Sequence, residues 1–178
     1  MKKFLLAFVL FGSILACKKE TQSLDYNNSV LEEKVFQEVD FDTLKTINEG
    51  VIKDTKMKLI AKGYQVFDYV DEKTKDTILM QQYFIAFLKS GPIRNQNEEE
   101  ATRLQNEHLA HLGKMYELGY ADISGPFGNN GNIKGITIYN VPTLKMADSL
   151  ANSDPMVKAG RLIIEVHPWW AAKGFSLR

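Results

Sequence analysis

The chain has 178 residues, of which 44% are hydrophobic and 25% are charged, enough for one ordinary globular core. Its 22 basic residues balance its 22 acidic ones, so charge gives no support for nucleic-acid binding. A single cysteine excludes an internal disulfide framework.

The N-terminus has the pattern of a secretory signal. Two lysines precede the apolar run 4–11, which is too short to remain in a bilayer as a permanent helix. The sequence ILAC that ends at Cys17 resembles the lipobox of bacterial lipoproteins, in which the signal is removed before a lipid-bearing cysteine. We therefore predict a signal peptide over 1–16 and a lipid on Cys17; the alternative is a plain secreted protein.

Residues 17–30 are polar and lack any period, which is typical of a flexible tether. A lipid anchor would place the protein in the bacterial cell envelope, on the periplasmic side or at the outer-membrane surface. The expected contact with the membrane is through the lipid on Cys17 only. Nucleotide cofactors are scarce in that compartment, and we expect no cofactor.

Residues 31–76 form a lead segment ahead of the main domain. Leu44, Ile47 and Val51 fit one face of a helix, but we expect Gly50 to interrupt any longer element. The segment ends in the aromatic and β-branched run 64–70, which predicts an extra strand.

The apolar run 77–88 follows that strand after a short polar connection. Two such runs predict a β-hairpin, and the nearly continuous apolar character of the second predicts a buried, central strand. The sequence Ser90-Gly91-Pro92 ends it.

A helix is predicted from Glu98 to a stop at Gly119. His108 lies in the middle of its apolar stripe and His111 at the edge of that stripe. A histidine inside such a stripe is either a neutral core residue bonded to a carbonyl or a proton-transfer group held in a pocket.

The chain then turns back through two short strands, predicted over 120–124 and 133–141. The glycine- and asparagine-rich stretch between them reads as a hairpin loop, since it has neither the Gly-Lys-Ser/Thr signature nor the following helix of a phosphate cradle.

A second helix is predicted to open at Pro142 and to run to 149–152, with its inward face formed by Leu144, Ala147, Leu150 and Ala151. Asp154 and Pro155 have the pattern of an N-cap and first residue of a one-turn helix that Gly160 terminates. The last strand is predicted over 162–167, before Pro168 and two tryptophans.

From residue 77 onward the predicted order is strand, helix, strand, strand, helix, strand. This order predicts an α+β, ferredoxin-like βαββαβ sandwich over 77–172, with the lead segment and its extra strand before it and a tail over 173–178. Because both helices must cover one face of the sheet, the other face needs a second cover. We expect a homodimer in which a second copy provides it.

The region from about Met80 to Trp170 resembles the YciI (YCII-related) domain family. The matching pieces are the strand entering Gly91-Pro92, EHLAHL at 107–112, SGP at 124–126, SDPMVKAG at 153–160 and VHPW at 166–169. The resemblance implies a dimeric α/β-barrel assembly of ferredoxin-like subunits. It also implies a cleft with a histidine and aspartate pair proposed as catalytic, here His108 and Asp154.

Such a pair suits proton transfer, because a carboxylate bonded to one imidazole nitrogen leaves the other nitrogen to accept or give a proton. For Asp154 the alternative is helix capping alone. Further candidate pocket residues are His111, Gly125, Pro126 and Trp169, although plain packing would also explain the tryptophan. A zinc site built from the three histidines lacks a carboxylate or cysteine partner, and we predict no metal.

Two functions remain open, besides a purely structural role that needs no cleft. The first is a cofactor-free enzyme of the lyase or isomerase type that moves a proton on a small polar molecule. The second is a non-catalytic module of the cell envelope that binds a small ligand or serves as an accessory protein.

Overall fold

The computed structural model describes residues 41–175, with side chains from residue 48 onward. The predicted signal peptide, tether and lipidated Cys17 lie outside the described residues and stay predictions. Most of the described chain belongs to one compact unit that begins at Lys45. Within residues 41–175, no helix combines the length and the apolar character that crossing a membrane requires.

Four helices and five strands make up the described chain: α1 (Phe41–Ala61), β1 (Val66–Val70), β2 (Thr77–Ser90), α2 (Glu98–Glu117), β3 (Ala121–Pro126), β4 (Ile133–Tyr139), α3 (Leu144–Asn152), α4 (Pro155–Lys158) and β5 (Leu162–Ala172). The strands form one antiparallel sheet in the order β5-β2-β4-β3. From β2 to β5 this is the predicted ferredoxin-like α+β fold, with the one-turn helix α4 inserted before the last strand.

The long strand β2 is the centre of the sheet, as its apolar run predicts. One edge of β2 pairs with β5 along most of its length. The other edge pairs first with β1 and then with β4, so the extra strand extends the sheet beside the first half of β2. Residues facing both sides of this strand are buried, Leu79 and Tyr83 on one side and Phe84 and Ala86 on the other.

The prediction for Gly50 is wrong, because α1 is a continuous helix of 21 residues that passes through it. Glycine inside a helix costs only about 0.5–1 kcal/mol relative to alanine, which a helix of this length can absorb. Lys56 of α1 forms an ion pair with Asp68 of β1.

Other boundaries also differ from those predicted, and three of them follow here. Strand β3 continues through Pro126, so Gly125 and Pro126 lie in a strand rather than in a turn. Helix α3 begins after Pro142, with the Thr143 hydroxyl accepting a hydrogen bond from the Met146 amide at 3.2 Å. Strand β5 runs on through Pro168, which an edge strand paired on one side only tolerates.

Helices α2, α3 and α4 pack on one face of the sheet, and the core lies between them and it. Ala147 and Ala151 form the buried face of α3, whereas Leu144, predicted to point inward, is 46% exposed. The core has two neighbouring clusters: Phe84, Ala86, Met115, Ala121, Tyr139, Val141, Ala147 and Ala151 in the first, and Leu88, Leu104, Met156 and Leu162 in the second.

The loop after β2 is held against the turn before β5 by a close backbone approach. The Gly91 amide donates to the Arg161 carbonyl at 2.8 Å, and the Ile93 amide donates to the Gly160 carbonyl at 3.1 Å. A Cβ added at Gly91 would lie 2.1 Å from the Gly160 oxygen, so only glycine fits there. Gly160 itself has a φ of 69°, which an L side chain rarely adopts.

We expect Gly91→Ala to lower the free energy of unfolding by about 2 kcal/mol, because the added methyl group overlaps fixed backbone atoms. Urea unfolding followed by circular dichroism measures the change. Gly113→Ala is the matched control: it lies in α2 with open space around its Cα, and alanine there should stabilise by about 0.5–1 kcal/mol. Equal effects of the two substitutions would contradict the proposed close approach.

Candidate functional site

Helix α2 places His108 in the protein interior. The helix begins at Asn97, whose side chain accepts from the Glu100 amide at 2.8 Å, and ends before Gly119, which has a φ of 70°. Leu104, His108 and Met115 form its buried stripe, and His108 is 8% exposed. The predicted position of His108 within an apolar stripe is confirmed.

Asp154 is buried at the junction of α3 and α4, where it is 2% exposed. Its Oδ1 accepts a hydrogen bond from the Met156 amide at 2.8 Å, which caps α4. Its Oδ2 lies 2.6 Å from Nδ1 of His108, 46 residues earlier in the chain. Helix capping and histidine pairing are therefore not alternatives, because each carboxylate oxygen serves one of them.

The pairing determines what the imidazole of His108 can do. A carboxylate accepts a hydrogen bond from a ring N–H, so the short contact favours the tautomer, or the imidazolium, that carries its proton on Nδ1. Nε2 is then the ring nitrogen left to exchange a proton with another molecule. Asp154 orients the ring from the side of the core.

His108 lines a cavity of about 410 Å³ on the helix-covered side of the sheet. Contributions come from α2, α4, the strands β2 to β5 and the loops beside them. Besides His108, the lining residues are Leu88, Arg94, Gln105, Leu109, Leu112, Ser124, Gly125, Pro126, Lys134, Gly135, Ile136, Met156, Arg161 and Leu162. The volume suits a small metabolite.

Gly125 and Pro126, two of the predicted pocket residues, lie in this cavity with His108. Trp169 does not. It lies on the opposite face of the sheet, with its ring 6.2 Å from that of Tyr83, and lines a separate concavity there.

His111 also lies outside the cavity lining, one turn along α2 from His108. Its Nε2 is buried and has no hydrogen-bond partner within the described part of the chain. Burial lowers the pKa of His111, although the neighbouring Asp154 carboxylate acts in the opposite direction. His111 is thus a largely neutral neighbour of the pair.

His167 is remote from both other histidines. It lies on the opposite face of the sheet, where Nε2 is 2.6 Å from Oε1 of Glu165. The Lys89 ammonium also pairs with Glu165. The contact with Lys89 is the larger cause, and the contact with His167 the smaller cause, of the lowered pKa of the Glu165 carboxyl. The three histidines therefore lie at two separate places.

Three cationic residues of the cavity were not predicted from the sequence: Arg94, Lys134 and Arg161. Each is isolated in the sequence, in or beside a loop, and no spacing relates one to another. The only local signal is that Arg94 and Arg161 each follow a glycine-containing turn. The proximity of Arg94 to Arg161 depends on the backbone approach of Gly91 to Gly160 and Arg161.

No protein-family model matches this chain, and no curated protein matches it. Among solved structures, it is similar to 5-chloro-2-hydroxyhydroquinone dehydrochlorinase (TftG) from Burkholderia phenoliruptrix AC1100, in complex with 2,5-dihydroxybenzoquinone, at 21% identity and a TM-score of 0.38 over 49% of this chain and 92% of that one. It is also similar to muconolactone isomerase, at 15% identity and a TM-score of 0.41 over 49% of this chain and 86% of that one. Both similarities are distant.

The lowered pKa of His111 predicts a pH dependence of stability. The unfolded chain binds a proton at His111 near pH 6.5, whereas the folded chain does so only at lower pH. The contribution of the neutral ring is therefore fully present above pH 6.5 and is lost as the pH falls towards the folded-state pKa.

Urea unfolding at a series of pH values, for the unchanged chain and for His111→Gln, measures this effect. We expect the free energy of unfolding of the variant to fall less steeply below pH 6.5. If the free energy of unfolding changed with pH in the same way for both proteins, the result would contradict this expectation.

Proposed function

We propose that this protein is a YciI-like, cofactor-free enzyme of the lyase or isomerase type that moves a proton on a small polar molecule. His108 acts as general acid or base, and Asp154 is its positioning residue. The observation that carries the proposal is the 2.6 Å contact between Asp154 Oδ2 and His108 Nδ1, at a histidine that lines a cavity. In this proposal the domain is held in the cell envelope by the lipid predicted on Cys17.

The burial of the pair supports a chemical role. A carboxylate that is 2% exposed needs a compensating donor for each oxygen, and Asp154 has one for each. The same contact holds the ring so that its other nitrogen, Nε2, is the atom that accepts or gives a proton. A base oriented in this way contributes about 10²- to 10⁴-fold to a proton-transfer rate.

The cavity gives a substrate room beside the ring. Leu88, Leu109 and Leu112 supply apolar walls, whereas Gln105 and Ser124 supply neutral hydrogen-bonding groups. Within the described residues no cysteine is present, and Ser124 bonds to the Thr137 hydroxyl at 3.0 Å rather than to a histidine. These contacts favour direct proton transfer over covalent catalysis.

We also propose that two copies pair through the sheet face opposite the helices. That face carries apolar and aromatic side chains from four strands, namely Tyr83, Ile85, Phe87, Ile123, Ile136, Ile138 and Trp169. Ile123 and Trp169 are 38% and 42% exposed. Exposed apolar side chains on the face of a sheet favour burial against another sheet.

Deuterium exchange tests the catalytic proposal without knowledge of the reaction. The purified full-length chain is incubated in D₂O with small polar compounds that carry an acidic C–H, and deuterium incorporation is followed by NMR. We expect exchange on at least one compound. His108→Gln should slow it about 10²- to 10⁴-fold.

His167→Gln is the matched control, since it removes the exposed histidine on the opposite face of the sheet, and it should retain the rate. Asp154→Asn keeps an oxygen that can cap α4 but removes the charge, so it should slow exchange and change its pH profile. Binding without exchange in the unchanged chain would favour the non-catalytic, ligand-binding function. Equal rates for His108→Gln and His167→Gln would contradict the role of His108.

Analytical ultracentrifugation tests the pairing. The unchanged chain should sediment as a dimer, and Ile138→Glu should sediment as a monomer because it places a charge in the middle of the apolar face. Ile60→Glu, on an exposed position of α1, is the control and should remain dimeric. A monomeric unchanged chain would contradict the proposal.

A further inference from the structure

The cavity that His108 lines concentrates positive charge. Arg94 comes from the loop after β2, Lys134 from the beginning of β4, and Arg161 from the turn before β5. Between residues 48 and 175, no aspartate or glutamate lines this cavity. Because the chain as a whole has 22 basic and 22 acidic residues, the positive cavity is a local feature and not a consequence of composition.

The described part of the chain supplies no counter-charge for these three residues. Among the described side chains, carboxylates pair with Lys56, Lys89 and Arg103, but none lies within ion-pair distance of Arg94, Lys134 or Arg161. Cations that converge on a partly enclosed space without a partner repel one another. A bound anion would remove that repulsion.

Two of the cations are held in place by neutral groups. The Lys134 ammonium donates to the Gly131 carbonyl at 2.9 Å. Nη1 of Arg161 donates to Oε1 of Gln96 at 2.9 Å, while its Nε is buried without a partner in the described chain. Hydrogen bonds to neutral acceptors orient these side chains without cancelling their charge.

We infer that the cavity binds a small organic anion, with a carboxylate or phosphate group against Arg94, Lys134 and Arg161 and the rest of the molecule beside His108. The inference rests on the proposed function and narrows its substrate from a small polar molecule to an organic anion. Arginine binds planar oxyanions through two parallel N–H donors, and lysine adds a compact charge. The same cations stabilise the negative charge left on carbon when a proton is removed.

Isothermal titration calorimetry on the purified full-length chain tests the inference. The probes are succinate, inorganic phosphate and succinamide, the neutral amide analogue of succinate. We expect at least one anion to bind about tenfold or more tightly than succinamide, with affinity that falls as salt is added. Succinate and phosphate together distinguish a carboxylate site from a phosphate site.

Charge-removing variants locate the binding. Arg161→Gln and Arg94→Gln should each weaken anion binding about tenfold, and Arg94 is exposed enough that its replacement leaves the fold intact. Arg103→Gln is the matched control, because Arg103 lies on the exposed side of α2, pairs with Glu107 and does not line the cavity. Its anion affinity should be unchanged.

Succinamide binding as tightly as the better-bound anion, binding of neither anion, or equal weakening by Arg103→Gln would overturn the inference. Its failure is distinguishable from failure of the proposed function. Anion binding without deuterium exchange would leave the anion site standing and remove the catalysis. Exchange on neutral compounds alone, without anion binding, would leave the catalytic proposal standing and remove the anion site.

Discussion

The buried carboxylate of Asp154 connects the parts of this domain that the candidate site requires. One oxygen caps α4 through the Met156 amide, and the other holds His108 of α2. An unpaired charge at this depth would cost several kcal/mol, so the position is stable only while both donors are present. The carboxylate therefore connects α2, α4 and the His108 ring. The orientation of the ring that lines the cavity depends on the same residue that caps α4.

A second constraint acts on the backbone. The loop after β2 and the turn before β5 approach so closely at Gly91 and Gly160 that a side chain at Gly91 would collide with the Gly160 carbonyl. This contact brings the loop that carries Arg94 beside Arg161. Because glycine has no Cβ, the two backbone segments can lie in contact, and the contact brings the two arginines together. The cavity is therefore positive although the sequence has no local cluster of basic residues.

The two faces of the sheet carry different chemistry. The helix-covered face holds the core, the His108 and Asp154 pair and the cationic cavity. The opposite face carries apolar side chains, Trp169 among them, and also the polar His167. Because successive residues of a strand point to opposite faces, each central strand contributes to both. The sheet thereby separates a proposed site for a small molecule from a proposed surface for a second copy.

The sequence by itself determined the order of the elements from β2 to β5, the buried stripe of α2 and the cap at Asp154, because periodicity and capping act within a few residues. The link between His108 and Asp154 came only from the family resemblance. Tertiary structure decided how far β3 and β5 extend and that α1 passes through Gly50, since strand pairing and helix length override local breakers. Only the tertiary structure decided that Arg94, Lys134 and Arg161 line one cavity. Contacts between residues far apart in the chain produce no recognisable spacing in the sequence.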